Sequence, residues 1–135
     1  MIYQLALLFH IIAGMVYFGL PFCFARWFRT CMEHEPARQI TVAKLRLFCR
    51  LHLNACALVI LLTGGYMTGA GWLTWHLAAL TLLVLSLANL NLFLLPALKP
   101  DTPSALTGRR LTIFAGSHHT LITLIIALMV FRPVW

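Results

Sequence analysis

The chain has 135 residues, enough for one domain. It is 61% hydrophobic and 10% charged, with a mean hydropathy of +0.91; a soluble domain is about half apolar and about a quarter charged, so composition excludes an ordinary water-soluble globule. The net charge of +7 does not indicate a nucleic-acid binder, because the cations sit in short stretches between apolar runs and no basic face alternates with stacking aromatics.

Residues 2–25 form the first apolar run. It lacks the basic start of a secretory signal and is long enough to span and stay. His10 lies within it, with Ala6, Ala13 and Gly14 at helical spacing and Tyr17 and Pro21 further along the same face. That face is small and tolerant of polar groups, which suits close approach by a flat macrocycle. Pro21 should bend the last turns. Residues 26–50 then read as a basic loop carrying Arg26, Arg29, Arg38, Lys44, Arg46 and Arg50, with a short amphipathic stretch near 37–47 and a solvated His34.

The second helix is expected over 51–70, with His52 near its start and Ala55, Cys56 and Thr63 on the same face. Gly64-Gly65 should loosen its exit, and Gly69-x-Gly71 shapes a tight turn. The third helix is expected over 72–97, ended by Pro96. It carries His76 beside Ala79, Leu80 and Leu83, and then Ser86, Asn89 and Asn91. These last three read first as interhelical glue, with hydrogen bonds to His52 or His119, or a quinone or proton site, as the functional reading. A second basic loop covers 98–110, with Lys99, Arg109 and Arg110. The fourth helix is expected over 111–131. Its small and polar row is Thr112, Gly116, Thr120, Thr123 and Ala127; His119 lies beside that row, and His118 is expected to point away.

Each run approaches or exceeds the ~20 residues that cross a ~30 Å hydrocarbon core, and backbone groups in lipid must be satisfied within the segment, so the runs should be helices. The two basic loops belong in the cytoplasm by the positive-inside rule, which leaves both termini outside. Arg132 is the exception. Tyr3, Trp72, Trp75 and Trp135 then mark the outer interface, and Trp27 the inner one. The expected fold is an all-α integral membrane four-helix bundle of up-down topology in a bacterial inner membrane. Cys23, Cys31, Cys49 and Cys56 contain no C-x-x-C pair and read as packing residues.

Five of the six histidines lie in or at the edge of helices, and every helix has one. An ionisable group in lipid marks a functional site by default. At ~1.5 Å per residue, His10 and His76 lie about 12 and 6 Å from the outer ends of their helices. His52 and His119 belong to the inner half. Two diagonal pairs result, and facing helices build cofactor sites in bundle cores. Axial imidazole in a low-dielectric shell suits b-type haem. Zinc wants three or four clustered ligands, and the only acids, Glu33, Glu35 and Asp101, are in loops. Copper(I) would favour soft sulfur, but Met15, Met67 and Met129 make no row. The candidate site is therefore His10 and His76 on an outer haem iron, with Gly14 and Tyr17 beside the ring. A second iron would lie between His52 and His119, with His118 as the substitute ligand.

The segment His10-Ile-Ile-Ala-Gly-Met-Val-Tyr-Phe-Gly-Leu20, with Arg26 sixteen residues after the histidine, resembles the first helix of the HemJ-type protoporphyrinogen oxidases. The closing Phe131-Arg132-Pro133 resembles that family's last turn. Asn91-Leu-Phe-Leu-Leu-Pro-Ala-Leu98 is similar to the end of helix three in copper-resistance D-type membrane proteins. The first resemblance implies haem b at His10; the family's functional lysine early in helix three falls on His76, a better axial ligand. The family's acidic residue in helix four is replaced by Gly116-Ser-His-His119. The leading expectation is a membrane redox protein with one or two bis-histidine haems, exchanging electrons with quinol or with a membrane or periplasmic protein. Protoporphyrinogen oxidation, copper handling, and a cofactor-free subunit of a respiratory assembly are the alternatives, and a homo-oligomer is compatible with each.

Overall fold

The computed structural model describes residues 1–31, 35–68, 75–99 and 105–131. The Gly69-x-Gly71 turn, His34, Trp72, Arg132 and Trp135 lie outside them. The regular structure of the described residues is entirely helical. In chain order the α-helices are α1 (Ile2–Gly19), α2 (Pro21–Cys31), α3 (Glu35–Phe48), α4 (Asn54–Thr68), α5 (Trp75–Ala88), α6 (Leu95–Ala97) and α7 (Ala105–Phe131). Two π-helical segments, Cys49–Leu53 and Asn89–Leu94, connect α3 to α4 and α5 to α6. Together they make four spans long and apolar enough to cross a membrane: Ile2–Cys31, Pro36–Met67, His76–Ala97 and Thr107–Leu128.

Each span buries one stripe at three- or four-residue spacing, the period of a helix face. The first buries Ala13, Tyr17, Phe24 and Phe28; the second Val42, Leu45, Cys49, Leu53 and Ala57; the third Leu83, Ser86, Leu90 and Leu94; the fourth Leu111, Phe114, His118, Ile122 and Ile125. The opposite faces are no less apolar, with Leu5, Phe9, Met15, Leu62, Leu85, Leu92 and Leu124 all exposed. A soluble bundle puts polar residues there, so this surface is that of a multi-pass membrane protein whose solvent is hydrocarbon. The spans pack in a cycle: α1 on α4, α4 on α5, α5 on α7, and α7 on α2.

The expected basic loop over 26–50 is corrected, while the amphipathic stretch expected near 37–47 falls within α3. α2 carries the first span on to Cys31, and α3 starts the second at Glu35. The physical reason is periodicity. The cations interrupt the hydropathy of this stretch but leave Phe24 and Phe28, and Val42, Leu45 and Cys49, on buried faces. Both helices are amphipathic and pack on each other. α4 also runs through Gly64-Gly65 without a break, while Pro96 lies in the last helical turn of the third span, as expected.

Candidate functional site

The interior of the bundle holds a closed polar ring built from three spans. The Tyr17 hydroxyl lies 3.0 Å from Ser86 Oγ, which lies 2.8 Å from His118 Nδ1; His118 Nε2 lies 3.0 Å from the main-chain carbonyl of Tyr17. All three residues are fully buried. The carbonyl can only accept, so in the neutral ring Nε2 carries the proton and Nδ1 is the acceptor. Ser86 then donates to His118, and Tyr17 donates to Ser86. Local chain chemistry explains the arrangement. In an α-helix the carbonyl of residue 17 accepts from the amide of residue 21, and Pro21 has no amide hydrogen. His118 fills the vacant place. Phe114 stacks on its ring at 5.0 Å, and Tyr17 meets it edge-on.

This reverses the expected facing of the fourth helix: His118 points inward, and His119 is half-exposed, meeting Phe22 edge-on. The small row of Thr112, Gly116, Thr120 and Thr123 faces outward, because those hydroxyls bond carbonyls of their own helix rather than neighbours; those of Thr112, Thr120 and Thr123 reach back four residues. A row of small and polar residues was the wrong signal, since Ser and Thr in lipid satisfy themselves locally.

His10 sits in a different setting, against the second span. Its Nδ1 lies 2.9 Å from Thr63 Oγ1. Thr63 donates its own hydrogen to the Val59 carbonyl at 2.6 Å. Its oxygen is therefore an acceptor toward His10, which puts the imidazole proton on Nδ1 and a lone pair on Nε2. Gly64 makes room for the ring: a Cβ there would lie 3.3 Å from His10 Cε1. A ring fixed through Nδ1 with Nε2 as base is the usual form of a metal-bound histidine.

The remaining candidates divide. His76 is half-buried in the first turn of α5. Tyr17 belongs to the closed ring, and Gly14 is buried with ordinary contact to the Phe18 ring of its own helix. His52 is exposed and stacks on Phe48 at 4.9 Å. The inner pair thus does not fit a haem: His52 faces out, His119 is on Phe22, and both nitrogens of His118 are engaged. Thr63, expected on the His52 face, serves His10 instead.

Ser86, Asn89 and Asn91 act as glue, with partners other than His52 and His119. Asn89 donates to Ser117 Oγ at 2.7 Å. Asn54 and Asn91 exchange amide hydrogen bonds of 3.1 and 2.8 Å. Each also donates to the carbonyl four residues back, Arg50 and Leu87 respectively. Arg50 lies inside the first π-helical segment and Leu87 two residues before the second; at the end of the second one the Leu95 amide reaches back five residues to Leu90. A π-turn displaces the regular i to i−4 ladder, and the asparagines donate to carbonyls within or beside these distortions. Among the described residues, no three His, Cys, Asp or Glu side chains gather to hold a metal ion.

Fold and surface define a multi-pass α-helical membrane protein. No protein-family model, curated protein or solved structure matches the chain.

Proposed function

We propose that this protein binds one b-type haem in the outer half of the bundle, with His10 as an axial ligand and His76 as the second, and that it passes electrons between quinol or a partner protein and an acceptor. The reading places the chain in a bacterial inner membrane as an up-down bundle with both termini outside, as the basic residues of the first and third connections suggest. The observation that carries it is the bond from His10 Nδ1 to Thr63, which presents Nε2 as a base. When bound, the haem would supply one-electron redox chemistry. Thr63 and Val59 orient the imidazole, Gly64 leaves room for it, and the surrounding lipid-facing side chains exclude water. A two-haem protein is not proposed, because the inner histidines do not fit one.

The test is a pyridine haemochrome assay and reduced-minus-oxidised spectra on detergent-purified protein. One haem per chain, lost in His10→Ala and kept in His52→Ala, is the expected result. Haem retained in full by His10→Ala overturns the assignment.

A second reading is favoured by a different observation. The Tyr17–Ser86–His118 ring and the Asn54–Asn91 pair tie all four spans together by themselves. A cofactor-free subunit of a membrane assembly would need only that, and purified protein without a chromophore would favour it. Bound copper without haem would instead favour the copper-handling resemblance.

A further inference from the structure

A groove of about 450 Å³ lies between α2 and α3, walled by Trp27 and Thr30 on one side and by Thr41, Lys44, Leu45 and Phe48 on the other. Its floor is fixed: Leu45 is buried, and Phe48 packs edge-on against the buried Phe24. Its size is that of a small-molecule site. Among the described residues, Lys44 is the one charged residue in its lining.

Depth says what the groove meets. The first span has 30 residues and the second 32, about 45 and 48 Å at ~1.5 Å per residue, against a hydrocarbon core of about 30 Å. α1 and α4 carry no charged residue, so they lie within the hydrocarbon. The overshoot of about 15 Å falls on α2 and α3. Trp27, Thr41 and Lys44 then stand at the level of the lipid headgroups, and Phe48 stands at the edge of the acyl chains. Charge says which headgroup. Residues 26–50 hold six Lys or Arg against two Glu, so the surroundings of the groove complement an anion.

We infer that this groove binds one anionic phospholipid, with its phosphate at Lys44 and the start of an acyl chain along Trp27, Leu45 and Phe48. On the topology proposed above, the lipid belongs to the cytoplasmic leaflet. The inference is independent of the haem reading, since the groove lies between α2 and α3 and the His10–Thr63 bond lies between α1 and α4. A basic cleft between helices at this depth recognises a lipid headgroup by charge, while an apolar wall at the acyl boundary selects a lipid over a free anion.

The test is native mass spectrometry of the full chain in detergent, titrated with phosphatidylglycerol or with phosphatidylcholine of the same acyl chains. One phosphatidylglycerol should be retained in preference to phosphatidylcholine. Lys44→Ala should weaken retention about fivefold, and Thr41→Trp should abolish it by filling the groove with every charge intact. Arg109→Ala, in the other basic stretch, should leave it unchanged. Equal retention of the two lipids by the unaltered chain overturns the inference whatever the variants do. So does an Arg109→Ala loss as large as that of Lys44→Ala, or full retention by Thr41→Trp.

Discussion

His118 Nε2 donates to the main-chain carbonyl of Tyr17 at 3.0 Å, across 101 residues of sequence, at the one carbonyl that Pro21 leaves without an amide partner. A break in one span is thus closed by a side chain of another. His118→Leu should strand both that carbonyl and Ser86, and lower stability by roughly 1–3 kcal/mol. Pro21→Ala restores an amide hydrogen to the turn. In that background the same His118→Leu change should cost about 1 kcal/mol less. Unfolding of the four variants in mixed detergent micelles measures the coupling; strict additivity would show that His118 does not stand in for the missing amide.

The reciprocal amides of Asn54 and Asn91 give a second test. Asn54→Leu removes both hydrogen bonds between Asn54 and the half-buried Asn91 and leaves the Asn91 amide without them, so it should cost about 1–2 kcal/mol. The double variant with Asn91→Leu should cost less than the sum of the two single changes, since no orphaned amide remains. The Arg50 and Leu87 carbonyls still lose their donors, so recovery should be incomplete. Thermal unfolding in detergent reads all three.

Two glycines of α7 should respond oppositely to alanine. A Cβ at Gly108 would lie 3.1 Å from Phe28 Cε1 and 3.3 Å from Cδ1, and Phe28 is only 1% exposed, so the ring has nowhere to go. Gly108→Ala should destabilise by about 1–3 kcal/mol through overpacking. At Gly116 nothing lies within 4 Å, and the gain in helix propensity should stabilise by about 0.4–1 kcal/mol. Melting temperatures that move the same way would contradict the packing of α2 on α7.

What could be read from residues alone follows from which signals are periodic. Four spans were legible because lipid forces long apolar helices, but the end of the first and the starts of the second and fourth were set too near the apolar runs. The amphipathic stretch near 37–47 was legible and lies within α3, but the helical continuation to Cys31 and the joining of α3 to the second span were not, because the cations mask the hydropathy while a buried stripe of Val42, Leu45 and Cys49 persists underneath. Facing in the fourth span was misread from hydroxyls that bond their own helix. One local signal was available: Pro21 four residues after Tyr17 announces an orphaned carbonyl and hence a buried donor on another helix. Neither π-helical segment was visible, although Asn54 and Asn91, each four residues after the carbonyl it satisfies, are the residues that such a distortion calls for.

The His10–Thr63 bond sets the last prediction. If Thr63 holds the imidazole by accepting from Nδ1, then Thr63→Val, which keeps the shape and removes the hydroxyl with its bonds to His10 and to the Val59 carbonyl, should weaken haem affinity by about 10–100-fold. The midpoint potential of the haem that remains should shift. Thr63→Ser keeps an oxygen at the same place and should restore both. Gly64→Ala, whose Cβ would press on His10 Cε1 at 3.3 Å, should mimic Thr63→Val by tilting the ring rather than by deleting a partner. A purely structural role for Thr63 would instead lower thermal stability in every variant without moving the potential, so spectropotentiometry and melting curves on the same preparations separate the two.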